Sequence, residues 1–467
     1  MTENENEKTP LLPQDDTCLI QTKNGSIQSI NGSNENNETV PANKGTGTLG
    51  AIFIVVNAAM GAGMLNMPEA FKHAGGVLPG TIMQLTFLVF ILGSLMILAY
   101  CCHHHQCSTY QEVIEVMCGR GVGVATECCI MLYMFGTSIA MIIIVGDQFD
   151  KALTIMEASV GVDFCHHWYM NRKFTMCAFS TAVILPLCIP KDIGFLRHAS
   201  IVGVLATIIV MLTVVVKYAT HTYTPGTIRH SPKNVSEFLS AVPAIFFAYQ
   251  CHVSSVPVYA SLRKKTAINW LIVILCSILL CAVSYCLTGI CGYLTFGDDV
   301  ESDILQNYKA TDFFVIAARI SIVIAMLTSY PILQFCGRAA IITLFMKMRL
   351  FSTTPRPSIE KLRRYFITFT WFFTSLVLAL FIPNIGEAIA VVGGLAGCFI
   401  LLFPGLCLMV LGANLVSESK WKPRLLIVIG ISYSVAGTFL FGEITTEAIM
   451  NDISNSVPEL SSICYQT

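Results

Sequence analysis

Asn57-Ala58-Ala59-Met60-Gly61-Ala62-Gly63-Met64-Leu65-Asn66-Met67-Pro68 interrupts the first long apolar segment of the chain. A helix that faced lipid would not carry two glycines, a proline and two asparagines in so short a distance. Glycine costs about 1 kcal/mol relative to alanine inside a helix, and proline removes a donor and crowds the preceding turn. Backbone groups freed at membrane depth find no water, so such a break survives only where it faces protein or a wet cavity. The stretch therefore predicts a discontinuous helix that carries a polar site.

The composition agrees with membrane residence. The 467 residues are 54% hydrophobic and 12% charged, about half the charge of a soluble domain. A net charge of −1 argues against nucleic-acid binding. Most of the 19 cysteines fall inside apolar runs (Cys276, Cys281, Cys286, Cys291, Cys398, Cys407), where Cys behaves as a small hydrophobe. Only Cys165 and Cys464 lie in segments expected to face the exterior or a lumen, so little disulfide chemistry is expected.

Residues 1–44 read as a disordered cytosolic tail without a signal peptide, being polar and poor in aromatics. Within the tail, Glu7 followed by Leu11 and Leu12 fits an acidic dileucine pattern of the kind clathrin adaptors read for sorting to endosomes and lysosomes. Apolar runs then recur at lengths suited to a bilayer, which takes about 20 helical residues. They fall at 49–71, 80–101, 121–149, 174–189, 201–218, 238–259, 268–296, 313–345, 366–382, 388–411 and 425–441, eleven spans within a transporter domain at 45–445. A short tail, 446–467, closes the chain. Lys and Arg concentrate in one set of loops, as at Arg263-Lys264-Lys265, Lys361, Arg363, Arg364, Lys420, Lys422 and Arg424. The positive-inside rule then sets the N-terminus in the cytosol and the C-terminus outside or in a lumen. Asn234-Val235-Ser236 on the outer side is a glycosylation sequon, but its closeness to the membrane edge argues against use.

The sixth run carries a second interruption, Val242-Pro243-Ala244-Ile245-Phe246-Phe247-Ala248-Tyr249-Gln250-Cys251-His252-Val253-Ser254-Ser255-Val256-Pro257. Spans one and six become equivalent if spans one to five and six to ten are two inverted repeats. Interrupted segments at matching positions of two halves point to a transporter binding site.

Thr48-Leu49-Gly50-Ala51-Ile52-Phe53-Ile54-Val55-Val56-Asn57-Ala58, Cys251-His252-Val253-Ser254-Ser255-Val256-Pro257 and Leu327-Thr328-Ser329-Tyr330-Pro331-Ile332-Leu333 resemble the amino acid/auxin permease family. The sodium-coupled neutral amino acid transporters are the nearest branch. Phe381-Ile382-Pro383-Asn384-Ile385-Gly386 and Phe403-Pro404-Gly405-Leu406-Cys407-Leu408 extend the likeness. Within the branch, the chain looks most like a lysosomal carrier of glutamine and asparagine.

The resemblance implies an all-α, LeuT-like membrane fold: a five-plus-five inverted repeat with broken first and sixth helices, plus one extra C-terminal helix. It implies neutral amino acid symport coupled to Na+ or H+, with no bound cofactor. The backbone at Gly61, Ala62 and Gly63 would take the substrate carboxylate, since a helix N-terminus carries about half a positive charge. Phe247, Tyr249, Gln250 and His252 would line the rest. The family's sodium site falls on Asn57 and Thr328, with Ser329 beside it, and neutral oxygens suit a hard cation.

His252 carries two readings: a group that senses or carries a proton, or a neutral ring bonded across the break. Arg319, within the eighth span, needs a partner because a central charge costs at least about 2.5–3.5 kcal/mol. Glu127, Asp147 and Glu387 are the candidates. Cys101-Cys102-His103-His104-His105-Gln106-Cys107 has zinc-like ligand types, yet consecutive residues on a helix end diverge, so no metal is expected there.

No HExxH, GxSxG or P-loop occurs in the spans, which argues against an enzyme. Two alternatives remain beside a lysosomal symporter: an amino-acid sensor with little flux, and uptake at the plasma membrane.

Overall fold

A computed structural model describes residues 46–160, 171–190, 197–348, 357–382, 385–415 and 421–456. Glu7, Leu11 and Leu12 lie outside the described residues, as do Cys165 and Cys464. The described residues are helical, with one isolated bridge between Thr46 and Leu262 and no strand.

The helices run α1 (Thr48–Ala59), α2 (Gly63–His73), α3 (Val77–His105), α4 (Tyr110–Cys118), α5 (Arg120–Val160), α6 (Arg172–Phe179), α7 (Leu185–Cys188), α8 (Arg197–Ala219) and α9 (Val235–Leu239). They continue with α10 (Val242–Tyr249), α11 (His252–Ala260), α12 (Ala267–Phe296), α13 (Ile304–Asn307), α14 (Phe313–Lys347), α15 (Pro357–Phe381), α16 (Ile385–Gly397), α17 (Phe403–Asn414) and α18 (Trp421–Ser456). Among the described residues, nine stretches are long and apolar enough to cross a membrane, or ten if α1 and α2 are one bent span. The segment from α6 to α7 is shorter, and a π-turn at Ser180–Ile184 and Pro186 interrupt it.

Both interruptions are present. The α1 helix ends at Ala59, Met60 is extended, and α2 leaves at 61°. In the sixth span α10 ends at Tyr249, Gln250 is extended at ψ 96°, and α11 restarts at His252. The sixth span is the most enclosed of the nine and the last the most peripheral. The core of the molecule therefore forms around the broken helices, with lipid-facing residues such as Leu279, Val428 and Phe439 on its outside.

Local chemistry sets the helix starts. Thr109 and Glu112 form a capping box for α4, and Asp312 accepts the first N–H groups of α14. Gly75 and Gly76 turn the chain out of α2 at φ 93° and 122°, where a Cβ would strike Pro232 N at 2.0 Å and Arg229 O at 2.2 Å. Only glycine fits that turn.

Candidate substrate and cation site

The two breaks meet at Gly63. A Cβ there would lie 2.7 Å from Ala248 Cα and 2.8 Å from Ala248 Cβ, so the start of α2 rests directly on the end of α10. Tyr285, from the middle of α12, joins them further: its hydroxyl lies 2.8 Å from Ala59 O and 2.9 Å from Ala248 O. These carbonyls end α1 and α10, where a helix leaves its last acceptors without intrahelical donors. One phenolic proton serves both acceptors, so one carbonyl is always short of a donor.

At the opening of α2, Met64 and Leu65 turn their N–H groups back to Gly61 O and Ala62 O. The N–H groups of 61–63 are those a helix start leaves free, at its positive end. A Cβ on Gly61 would meet nothing within 4 Å, so open space adjoins this backbone. Freed donors of one half-helix thus lie close to freed acceptors of two others. An amino acid zwitterion presents the complementary charges.

The predicted side chains fall into two groups. Phe247 is buried at this junction. Tyr249 is buried and accepts from Gln84 Nε2 at 2.6 Å, with its ring edge-on to Tyr285 at 5.0 Å. Gln250 and His252 are bonded to each other. Gln250 Oε1 takes the backbone N–H of His252 at 3.0 Å and its Nδ1 at 3.1 Å. Nε2 lies 2.7 Å from Ser94 Oγ, whose hydroxyl also donates to Ile91 O at 2.9 Å. Both ring nitrogens of His252 thus have hydrogen-bond partners, Nδ1 at the sixth break and Nε2 on α3.

Asn57 and Thr328 come together from α1 and α14 across a glycine that sequence reasoning did not single out. A Cβ on Gly203 of α8 would stand 3.5 Å from Asn57 Oδ1 and 3.9 Å from Thr328 Oγ1. The Thr328 hydroxyl donates to Ala325 O at 2.9 Å, leaving its lone pairs for another partner. Ser329 is half-buried on the next position of α14. These oxygens are neutral and partly open, a donor set suited to a singly charged hard cation.

The loop 300–308 is pinned over the opposite end of α2. Asn66 Nδ2 reaches Ser302 O at 3.0 Å, Lys72 Nζ reaches Val300 O at 3.1 Å, and Ser302 Oγ donates to Glu69 Oε1 at 2.9 Å. Arg319 donates to Leu305 O and, at 2.9 Å, to Gln148 Oε1, whose amide nitrogen reaches Asp303 Oδ2 at 2.6 Å. Burial pushes the Asp303 carboxyl above its ordinary range. Arg319 therefore answers an acid through an amide. The candidates named from sequence bond elsewhere in part: Glu127 sits 2.8 Å from Lys347, and Asp147 pairs with Arg172 at 2.6 Å. Asn234 is exposed and spends its Oδ1 on capping α9.

Comparison with known proteins places this geometry. Residues 44–444 match the family model described as transmembrane amino acid transporter protein. Sodium-coupled neutral amino acid transporter 7 of Danio rerio is 44% identical over 416 residues, covering 88% of this chain and 89% of that protein. The Homo sapiens protein of the same name is 44% identical over 417 residues, covering 87% and 89%. Solute carrier family 38 member 8 of Homo sapiens is 34% identical over 414 residues, covering 86% and 93%. These relatives are named as transporters and not as enzymes. The crystal structure of MhsT in complex with L-phenylalanine shares the fold at a TM-score of 0.54 and 16% identity, covering 85% of this chain and 98% of that one. The chain belongs to the transmembrane amino acid transporter protein family.

Proposed function

We propose that this protein is a secondary active symporter of small neutral amino acids, foremost glutamine and asparagine, working by alternating access. The observation that carries the reading is the junction of the two breaks, where free N–H groups at 61–63 and the carbonyls of Ala59 and Ala248 offer opposite charge within one site. The names of the relatives support neutral amino acids and sodium. The carboxylate is assigned to Gly61, Ala62 and Gly63, the ammonium to the carbonyl ends beside Phe247, and Na+ to Asn57, Thr328 and Ser329. Tyr249, Gln250 and His252 shape the wall, and H+ is the alternative coupling ion.

Eleven spans in a five-plus-five inverted repeat with one added helix accommodate the observed order, counting 172–188 as the fourth. The N-terminus lies in the cytosol, the C-terminus lies in a lumen, and Glu7, Leu11 and Leu12 direct the chain to lysosomes, so transport runs from lumen to cytosol. Purified protein in liposomes tests this directly. Glutamine should accumulate when a sodium or proton gradient is imposed and not when both are collapsed. Binding without flux under any gradient would overturn the symporter and leave a sensor.

A further inference from the structure

Among the described residues, Arg172, Lys217, Arg229 and Lys347 each hold a carboxylate, and Arg319 reaches Asp303 through Gln148. Arg338 does not. It is only 6% exposed, within α14, yet its guanidinium donates to the neutral Thr368 Oγ1 at 3.2 Å and lies 5.2 Å from the Phe335 ring centre. The seam is tight there, since a Cβ on Gly337 would come 2.3 Å from Trp371 of α15. Thr368 also takes Gln334 Nε2 on its carbonyl at 2.8 Å, which leaves Gln334 Oε1 buried without a donor. One turn before Thr368 on α15 stands Arg364, over the Tyr365 ring, with its Nε buried and unpartnered. Its charge bears on Arg338, and like charges repel.

Among the described residues no carboxylate is bonded to Arg338, although Glu360 stands one turn before Arg364 on α15. A buried guanidinium near a second one and without a bonded acid is costly unless an anion completes it. A phosphate matches this chemistry: its oxygens accept the fork of N–H groups that arginine presents, and a phosphate hydroxyl would serve Gln334 Oε1. We propose that the Arg338–Arg364 seam between α14 and α15 binds a phosphate group, carried by an anionic lipid headgroup or by soluble phosphate. The lipid source rests on the orientation proposed above, which turns this end of α14 and α15 to the cytosolic leaflet, where anionic lipids collect.

The test uses the full chain purified in neutral detergent. Thermal unfolding and native mass spectrometry are read after adding inorganic phosphate, phosphatidylcholine alone, or phosphatidylcholine mixed with phosphatidylserine or a phosphatidylinositol phosphate. The wild type should be stabilised by at least one phosphate-bearing anion and retain it, beyond any effect of phosphatidylcholine. A response to the anionic lipids alone assigns the headgroup, and a response to inorganic phosphate assigns a soluble ligand. Arg364→Gln, at a half-exposed position, should weaken retention by about tenfold, while Arg338→Lys keeps charge and loses the fork, giving a partial loss. If Arg338→Lys fails to fold, Arg364→Gln still decides the matter. No stabilisation by any anion, or equal retention by Arg364→Gln, overturns the proposal. The readout involves no flux, so its failure is distinct from failure of the symporter reading.

Discussion

Gly203→Ala separates a cation seat from ordinary helix packing. The added methyl would stand 3.5 Å from Asn57 Oδ1 and 3.9 Å from Thr328 Oγ1, ordinary contact distances that strain nothing. Alanine is about 1 kcal/mol better than glycine in a helix interior, so unfolding stability should hold or rise slightly. A hard cation, however, sits about 2.3–2.6 Å from each oxygen it holds, within the space the methyl closes off. If the ion gives up even one oxygen contact worth about 1.4 kcal/mol, its affinity falls about tenfold. The assay is sodium activation of glutamine uptake in liposomes, alongside the thermal midpoint of the same preparation. The expected result is a sodium half-activation raised about tenfold or more at an unchanged or higher midpoint. Unchanged sodium activation in a folded variant would refute the assignment of this glycine, and with it the convergence of Asn57 and Thr328 on an ion.

Gly63→Ala should be the opposite case. Its Cβ meets Ala248 backbone at 2.7 Å, so overpacking of about 1–3 kcal/mol lowers the thermal midpoint, and displacement of the two breaks lowers uptake; a stable, fully active variant would refute their contact. Tyr285→Phe strips the shared donor from Ala59 O and Ala248 O, costing about 1–3 kcal/mol on thermal unfolding, and should raise the amino-acid KM more than it lowers the maximal rate. An unaltered KM would remove Tyr285 from the site. Burial raises the Asp303 carboxyl while the loop is closed, and opening returns it to water, so the closed loop binds the proton more tightly. Closure should therefore strengthen as pH falls through the folded-state value, seen as slower intrinsic-rate-corrected amide exchange at 300–308; no change, or faster exchange, would contradict this. Leu11→Ala with Leu12→Ala should move the protein to the cell surface by antibody labelling of intact cells, and unaltered lysosomal staining would discard the sorting signal.

The breaks were legible because their residues conflict with their setting. Gly61, Gly63 and Pro68 in the first span, and Gln250 and His252 in the sixth, are poor choices for a continuous helix in lipid. What completes the site was not legible. Gly203 and Tyr285 each sit in an unremarkable apolar run, and their roles come from contacts far along the chain, such as Tyr285 to Ala59 across 226 positions. Gln148 was passed over beside Asp147, since sequence reasoning looked for an acid to neutralise Arg319 and the structure uses an amide between two charges. Nothing in the sequence distinguishes Arg338 within the eighth span; its burial and its neutral partner Thr368 set it apart. His252 and Gln250 drew attention as polar residues at a break, yet their hydrogen bonds go chiefly to each other.

Linked binding of amino acid and cation is the most direct test of the whole arrangement. Glutamine titrated calorimetrically into the purified protein should bind more tightly with sodium than with a large organic cation. Sodium titrated with and without glutamine should shift by the same factor, because coupling between sites is reciprocal. Thr328→Ala should bring that factor close to one while glutamine still binds. Glutamine affinity that is the same with and without sodium in the wild type would contradict a substrate seat at the junction of the breaks coupled to an ion at Asn57 and Thr328.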